Sequence, residues 1–291
     1  MKHRLEFALF RLLLGLVALL PWSKLPAVSR VLGDAARCLL RRRNAIVLDN
    51  LSHAFPQAAP PWRAQVAKDF WRNIVLTILE CLAIQPTRNR RLKKIAILEN
   101  FDVLERALSC GKGTLIHTGH LGNWELNALR IAIEGIKVAG IGRKQKNPFF
   151  DAWLVGWREQ FGSRAFSHHQ VGKDVREWLA SNGSLGILLD HNLYKGGIFV
   201  DFFGRPAATT TLTALLHIKY GSPIVGAYNY RKNGRLYCVF ELIDTSAVTP
   251  GKDAARQITE ILTKKIEEWI RRDPANWLWG HSRWKRQPQE A

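Results

Sequence analysis

The segment GTLIHTGHLGNWELNALRIAI, residues 113–133, indicates a strand, a turn and a helix in succession. Its start, Gly113 to Ile116, is apolar and typical of a buried strand, whereas Trp124 to Ile133 has the composition of a helix. The glycine-rich run between them suits neither element and predicts a turn. A strand that leads into a helix in this way is typical of α/β proteins.

The rest of the chain predicts the same class of fold. The first 90 residues contain three helical stretches: the leucine-rich start, Leu32 to Leu51, and Pro61 to Ile84. From about residue 96 strands alternate with helices, and Asp253 to Arg271 is amphipathic. Lys232-Asn233-Gly234 is typical of a hairpin turn. The predicted strands are Thr114–His117, Val138–Ile141, Leu185–Leu189, Ile224–Tyr228, and the hairpin pair Tyr228–Arg231 and Leu236–Leu242.

The N-terminus predicts a helix at a membrane surface. Leu5 to Trp22 is mostly leucine but is interrupted by Glu6 and Arg11. The uncharged run Leu12 to Leu20 is too short to span a bilayer as a helix. We expect residues 1–30 to lie in, or dip into, the membrane, with a buried helix of a soluble protein as the alternative.

We therefore predict an α/β fold with a central mixed sheet flanked by helices. Residues 31–291 form a single domain in this prediction, and residues 31–95 are its helical segment. No internal repeat or low-complexity linker divides the chain.

The composition favours anionic partners. Lys and Arg number 43 against 24 Asp and Glu, a net charge of +19, which attracts nucleic acid, anionic lipid or an acidic protein. The tail WLWGHSRWKRQP, residues 277–288, interleaves tryptophan with cations. We interpret it as an anchor at a lipid interface, with stacking on nucleic-acid bases as the alternative. The four cysteines lack the spacing of a disulfide framework or zinc knuckle.

His120 and Glu125 are the candidate general base and the carboxylate that orients it. Side chains five residues apart on a continuous helix point about 140° apart, so the pair meets only if His120 lies in the turn. Neutral histidine can accept a proton near pH 7, and a carboxylate can fix its tautomer. An isolated pair of this spacing also arises as a loop histidine beside a capping acid.

Further polar residues follow predicted strands, where α/β folds bind ligands. Arg143 lies in a basic run that can hold a phosphate, or that is simply a solvated loop. Asp190 ends an apolar strand, with capping of a turn through Asn192 as the alternative. The predicted substrate-binding residues are Arg143, Asn147, Asp190, Lys195, Gly204, Arg205 and Thr209.

The other histidines do not indicate a metal site. His168, His169 and His191 lack a metal-binding spacing, and we interpret them as incidental. His117 and His120 lack a convincing third ligand. G-x-S-x-G is also absent, which removes the main support for a serine hydrolase of the usual α/β type.

The chain resembles the bacterial lipid A biosynthesis acyltransferases, the lauroyl and myristoyl transferase branch of the lysophospholipid acyltransferase superfamily. The resemblance covers nearly the whole chain. One departure is His191, which follows Asp190 where glutamine is expected, so the subfamily stays open. The matching motifs are the hydrophobic N-terminus, NLSHAFP (50–56), GHLGNWE (119–125), R-x-x-x-N-P (143–148), Asp190, FFGRPAAT (202–209) and HSRWKRQP (281–288).

This resemblance implies an O-acyltransferase on the cytoplasmic face of the bacterial inner membrane. It implies transfer from an acyl carrier protein or coenzyme A thioester, without a cofactor, to a hydroxyl of a lipid A precursor or similar glycolipid. His120 and Glu125 are then the catalytic pair, and Arg143 and Asp190 match further active-site positions. The expected partners are acyl carrier protein, anionic membrane lipid and the glycolipid acceptor, but no nucleic acid, and the expected state is a monomer.

Two alternatives remain from the sequence. One is an acyltransferase that acts on a glycerophospholipid or another lipid acceptor. The other is a non-catalytic basic protein that binds membranes or nucleic acid, for which charge and aromatic residues suffice.

Overall fold

The computed structural model describes residues 1–84, 89–167 and 172–288. Its helices are α1 (Lys2–Ala18), α2 (Leu25–Leu39), α3 (Arg41–Ala54), α4 (Pro60–Ala83), α5 (Asn89–Ile95), α6 (Phe101–Ser109), α7 (Trp124–Ala132), α8 (Pro148–Gln160), α9 (Lys173–Ala180), α10 (Leu212–Tyr220) and α11 (Ala254–Arg272). Its strands are β1 (Ala96–Glu99), β2 (Thr114–Thr118), β3 (Val138–Gly142), β4 (Ser163–Ser167), β5 (Ser184–Leu188), β6 (Ile198–Phe202), β7 (Arg205–Thr209), β8 (Ile224–Lys232) and β9 (Arg235–Leu242).

Within the described residues, seven strands form a mixed sheet in the order β1-β9-β8-β2-β5-β3-β4. The five strands from β8 to β4 in this order run parallel, whereas β9 pairs antiparallel with β8. The predicted hairpin is confirmed, because Asn233 and Gly234 join β8 to β9 with positive φ angles of 51° and 71°. The mixed α/β fold is therefore the predicted one.

Helices cover both faces of the sheet. Leu115 and Leu185 belong to a core formed with α9, α10 and α11, on what we call the first face. Ile116 and Val138 belong to a core formed with α6, α7 and α8, on the second face. Consecutive strand residues such as Leu115 and Ile116 enter opposite cores because side chains alternate along a strand. The carboxyl ends of the parallel strands therefore lie between two layers of helices.

A second, two-stranded sheet was not predicted. β6 and β7 form an antiparallel hairpin, and Phe203 and Gly204 turn it with φ angles of 56° and 76°. Positive φ at both central residues is typical of a tight hairpin turn. Gly204, Arg205 and Thr209 of this block had instead been predicted to bind substrate.

The predicted helix from Leu32 to Leu51 is wrong as a single element. Leu40 leaves the helical conformation, with φ −90° and ψ 51°, and separates α2 from α3. This change of direction lets α3 reach the C-terminal end of the chain, where Asn50 donates hydrogen bonds to the carbonyls of Trp279 and His281.

The N-terminal helix α1 packs on the protein through one side only. Phe10 contacts Trp153 of α8 with ring centres 4.6 Å apart, and Val17 is buried. The outer side carries Leu5, Leu9, Leu12 and Leu16, each between 56% and 64% exposed. The alternative of a fully buried N-terminal helix is therefore wrong.

No single helix among the described residues is long and apolar enough to cross a bilayer. By length and composition alone, Lys2–Ala18 and Trp22–Leu39 together could do so, as a pair bent by 104°. The predicted division between residues 30 and 31 falls inside α2 and stays a prediction.

Candidate active site

The turn between β2 and α7 carries the candidate base. β2 ends at Thr118, His120 follows in the turn, and Glu125 lies in the first turn of α7, as predicted. Gly122 has φ +57°, and a Cβ added there would lie 1.9 Å from Oδ1 of Asn229. Only glycine fits this position, so the glycine of the motif fixes the path of the turn.

Asp190 orients His120. The Nδ1 atom of His120 donates to Oδ1 of Asp190 at 2.8 Å, and the backbone N–H of His120 donates to Oδ2 at 2.7 Å. Trp277 donates its ring N–H to the same Oδ2 at 2.7 Å. Because an ionised carboxylate only accepts hydrogen bonds, Nδ1 carries the proton and Nε2 of the neutral ring keeps a lone pair. The side chains of Asp190 and His120 are 1% and 14% exposed.

The carboxyl group of Asp190 is held in its ionised form. Burial raises its pKa, but the charge that His120 carries when it is protonated, together with the hydrogen bonds from its ring and backbone N–H, outweighs burial and lowers the pKa well below the usual range. A charged acceptor beside Nδ1 stabilises the imidazolium that forms when Nε2 takes up a proton.

Glu125 does not make the predicted contact with His120. Its carboxylate forms two hydrogen bonds with the guanidinium of Arg158 in α8, one of them from Nε at 2.9 Å. Burial disfavours the charge of Arg158, but Glu125 outweighs burial and raises the pKa of the guanidinium. The prediction that Glu125 orients the ring is thus wrong.

The sheet register explains why Asp190 takes this position. Thr118 of β2 lies opposite Leu188 of the parallel strand β5. His120 and Asp190 each follow their strand by two residues, so they leave the same edge of the sheet as neighbours. Glu125 instead starts a helix on the second face, where α8 supplies its partner.

Two further histidines stack on the candidate base. The ring of His191 lies parallel to that of His120 at 4.1 Å, and His281 stacks on His191 at 4.4 Å. His191 is an exposed residue overall, but desolvation of its ring, which lies between the other two histidine rings, and the nearby His120 lower its pKa to about 4. Burial likewise lowers the pKa of His281 to about 4. Both rings are neutral at pH 7, and His191, which we interpreted as incidental, lies against the candidate base.

The tryptophan-rich tail is part of the core. Trp277, Trp279 and Trp284 are between 0% and 8% exposed. Trp277 forms a β-bridge with Leu121, and the N–H of Leu278 donates to the carbonyl of His120 at 3.1 Å. The prediction of an exposed lipid or nucleic-acid anchor is wrong for these rings, because they are buried in the first-face core and Trp277 pairs with the turn that carries His120.

Arg283 supports the same region from within. Its side chain is 1% exposed and donates to the carbonyl of Ala208 at 2.7 Å, to Oγ1 of Thr209 at 2.6 Å and to the carbonyl of His191 at 3.3 Å. Burial lowers its pKa to about 10, so it stays charged at pH 7. The Thr209 hydroxyl, predicted to bind substrate, is therefore engaged inside the protein.

The remaining predicted substrate residues lie in several separate segments of the fold. Asn147 caps α8 by accepting from the N–H of Phe149, and it donates to the carbonyl of His3 in α1. Gly204 lies at the tip of the β6–β7 hairpin. Arg143 and Lys195 are exposed, whereas Arg205 is partly buried at the start of β7.

The residues that the structure describes hold no group of three or more His, Cys, Asp or Glu side chains suited to a metal ion. His117 is buried, and its Nε2 donates to the carbonyl of Leu262 at 2.9 Å. Burial lowers the pKa of His117 to about 4, so it is neutral. His168 and His169 lie outside the described residues.

Sequence spacing missed Arg158, His281 and Trp277 as parts of the site. Arg158 comes from α8, whereas Trp277 and His281 come from the C-terminal tail. They meet their partners only in the folded chain, at separations of 33 residues for Arg158 to Glu125 and 87 for Trp277 to Asp190. The tail motif was a signal for Trp277 and His281, but composition alone assigned it to the surface.

Comparisons with known proteins find matches over most of the chain. The model of the bacterial lipid A biosynthesis acyltransferase family matches residues 3–286. The chain is similar to the lipid A biosynthesis lauroyltransferase of Escherichia coli K12, at 25% identity over 281 residues, which cover 95% of this chain and 90% of that protein. The palmitoleoyltransferase of the same organism is 24% identical over 284 residues, 92% and 87% of the two chains. The phosphatidylinositol mannoside acyltransferase of Mycobacterium tuberculosis is 23% identical over 209 residues, 68% and 64%.

Proposed function

Because the chain belongs to the bacterial lipid A biosynthesis acyltransferase family and is an acyltransferase, we propose that it transfers a fatty acyl chain from an acyl carrier protein thioester to a hydroxyl of a lipid A precursor. The observation that carries this proposal is the contact between His120 and Asp190. It supplies a base with a fixed tautomer at the sheet edge where α/β proteins bind ligands.

The reaction needs one proton carrier. Nε2 of His120 takes the proton of the acceptor hydroxyl while the hydroxyl oxygen attacks the carbonyl carbon of the thioester. The tetrahedral intermediate then breaks its C–S bond, and the departing thiolate takes the proton back from Nε2. Asp190 stabilises the imidazolium between these steps. No covalent acyl-enzyme forms, because the acceptor hydroxyl is the nucleophile.

Glu125 acts through Arg158 in this mechanism. The two-pronged pair joins α7, which follows the catalytic turn, to α8 on the second face. Breaking such a partly buried pair leaves one charge without a partner. We assign Glu125 to positioning of the turn rather than to proton transfer.

The basic loop after β3 is suited to the acceptor's phosphate. Arg143, Lys144 and Lys146 are exposed at the carboxyl end of the strand, and arginine binds phosphate with two parallel hydrogen bonds. Asn147 ties this loop to α1 through the carbonyl of His3. Phosphate recognition would therefore lie beside the helix that we assign to the membrane.

The exposed leucines of α1 are proposed to enter the cytoplasmic leaflet of the inner membrane. They form an apolar strip on a helix whose other side packs on the protein, and basic residues of α1 to α3 would meet anionic head groups.

Replacing Leu9 and Leu16 with glutamine together is expected to weaken binding to anionic vesicles about a hundredfold, because each leucine contributes at least about 1.5 kcal/mol when buried. Sedimentation with vesicles measures this. The matched control replaces Leu215 and Ile218 of α10 with glutamine, since both are about as exposed on the first face. Equal vesicle binding by the Leu9/Leu16 variant and the wild type would show that α1 does not enter the membrane.

Mass spectrometry of lipids from cells with and without the gene tests the proposed function. One additional acyl chain on lipid A in cells with the gene is the expected result. The similarity to a phosphatidylinositol mannoside acyltransferase makes a mannosylated lipid the second candidate acceptor for this protein. A change confined to mannosylated lipids would select that acceptor, and a change confined to glycerophospholipids would contradict both.

A further inference from the structure

A groove of about 590 Å³ lies between α9 and α10 on the first face of the sheet. Leu212, Leu215 and Leu216 of α10 give it an apolar lining. Two side chains of α9 and one of α10 make its rim cationic. These rim residues are Lys173, Arg176 and Lys219.

The charges of α9 are divided between its two sides. Lys173 and Arg176 line the groove, whereas Asp174 and Glu177 line the opposite side, next to β4. Lys173 lies 3.8 Å from Glu177 in an exposed pair, which binds weakly in water. The groove therefore presents cations around an apolar floor, a surface that complements an acidic amphipathic helix.

Large apolar side chains continue along the exposed surface of α10. Leu215 and Ile218 are 51% and 52% exposed. Together with the groove they form a contiguous apolar surface with a charged rim, which is typical of an interaction site.

A chain of contacts links the start of α10 to the turn that carries His120. α10 begins three residues after Thr209, whose hydroxyl accepts from Arg283. Arg283 also donates to the carbonyl of His191, and the His191 ring stacks on His120. A partner seated in the groove would thus contact a helix that is linked to His120 through these hydrogen bonds and stacked rings.

We propose that the groove between α9 and α10 is the docking surface for acyl carrier protein, an acidic helical partner whose identity here rests on the proposed function. A bilayer fits this surface less well. The groove is concave, and it lies on the first face, whereas the exposed leucines of α1 belong to a helix packed on α8 of the second face. The acceptor lipid and the carrier then approach the site from different sides.

Charge reversal at the rim tests this proposal. Arg176→Glu and Lys219→Glu, made separately, are each expected to raise KM for acyl-acyl carrier protein about tenfold and to reduce the salt dependence of kcat/KM. kcat, and turnover of the carrier-free acyl-phosphopantetheine thioester, should stay within about twofold of wild type. Lys94→Glu is the matched control, because Lys94 is exposed on α5 beside the second-face core.

Binding of holo-acyl carrier protein, measured by fluorescence anisotropy, separates docking from catalysis. Weaker carrier binding by both rim variants but not by Lys94→Glu supports the docking surface, even if the wild-type protein transfers no acyl chain and the proposed function fails. Unchanged KM and unchanged carrier binding would overturn the docking surface while leaving an active acyltransferase in place. Loss of vesicle binding in the rim variants, with carrier binding intact, would also overturn it and assign the groove to lipid.

Discussion

His120→Ala is expected to lower kcat for acyl transfer by about three orders of magnitude or more, because it removes the only side chain assigned to carry the proton. Alanine leaves Asp190 without its Nδ1 donor, but the Trp277 hydrogen bond and the backbone N–H at residue 120 remain. The fold and vesicle binding should therefore persist. Initial rates with acyl-acyl carrier protein and a lipid A precursor measure the loss.

The control for this experiment is His53→Ala. His53 lies on α3 and its ring hydrogen-bonds the carbonyl of Asp49, outside the proposed chemistry. It should retain nearly full activity. Near-normal transfer by His120→Ala, with circular dichroism unchanged in both variants, would remove the proposed base from the mechanism.

Asp190→Asn is expected to lower kcat by about 10³- to 10⁴-fold, the scale of the corresponding change in a serine-protease triad. An amide cannot supply the negative charge that stabilises the imidazolium, and it can present an N–H to Nδ1 and so favour the wrong tautomer. KM for the acyl donor should change much less, since Asp190 is buried behind His120.

Glu125→Gln distinguishes the two carboxylates. Its effect should be at least about tenfold smaller than that of Asp190→Asn, because Glu125 binds Arg158 and not the imidazole. Adding Arg158→Gln to Glu125→Gln should cause little further loss, as expected of two residues that act as one pair. A larger loss from Glu125→Gln than from Asp190→Asn would show that Glu125 is the acid on which proton transfer depends.

The contrast between these two acids shows what sequence spacing can predict. The strand, turn and helix around His120 follow from local pattern, and they were predicted correctly. The partner of His120 follows from the pairing of β2 with β5, which sets Thr118 against Leu188. This strand pairing brings together His120 and Asp190, which are 70 residues apart in the chain. No local pattern in one sequence specifies which strands pair or in what register.

Composition also does not predict which of the aromatic residues are buried. Tryptophan and arginine at the C-terminus match both an exposed membrane anchor and a core segment with satisfied polar atoms. The structure selects the second, since Trp277 hydrogen-bonds Asp190 and Arg283 donates to Ala208 and Thr209. The outer leucines of α1, in contrast, are exposed, since nothing in the part of the chain that the structure describes packs on them.

The central claim is that His120 and Asp190 promote transfer of an acyl chain from a carrier thioester to a glycolipid hydroxyl. Single-turnover transfer by the purified protein tests this claim most directly. Wild-type protein and the Asp190→Asn variant are each mixed with acyl-acyl carrier protein and a lipid A precursor. The mass of the lipid is then followed over time by mass spectrometry. The account predicts a product one acyl chain heavier from the wild type, and at least about a thousandfold slower formation by Asp190→Asn. No heavier product from the wild type, or equal rates for the two proteins, would contradict it.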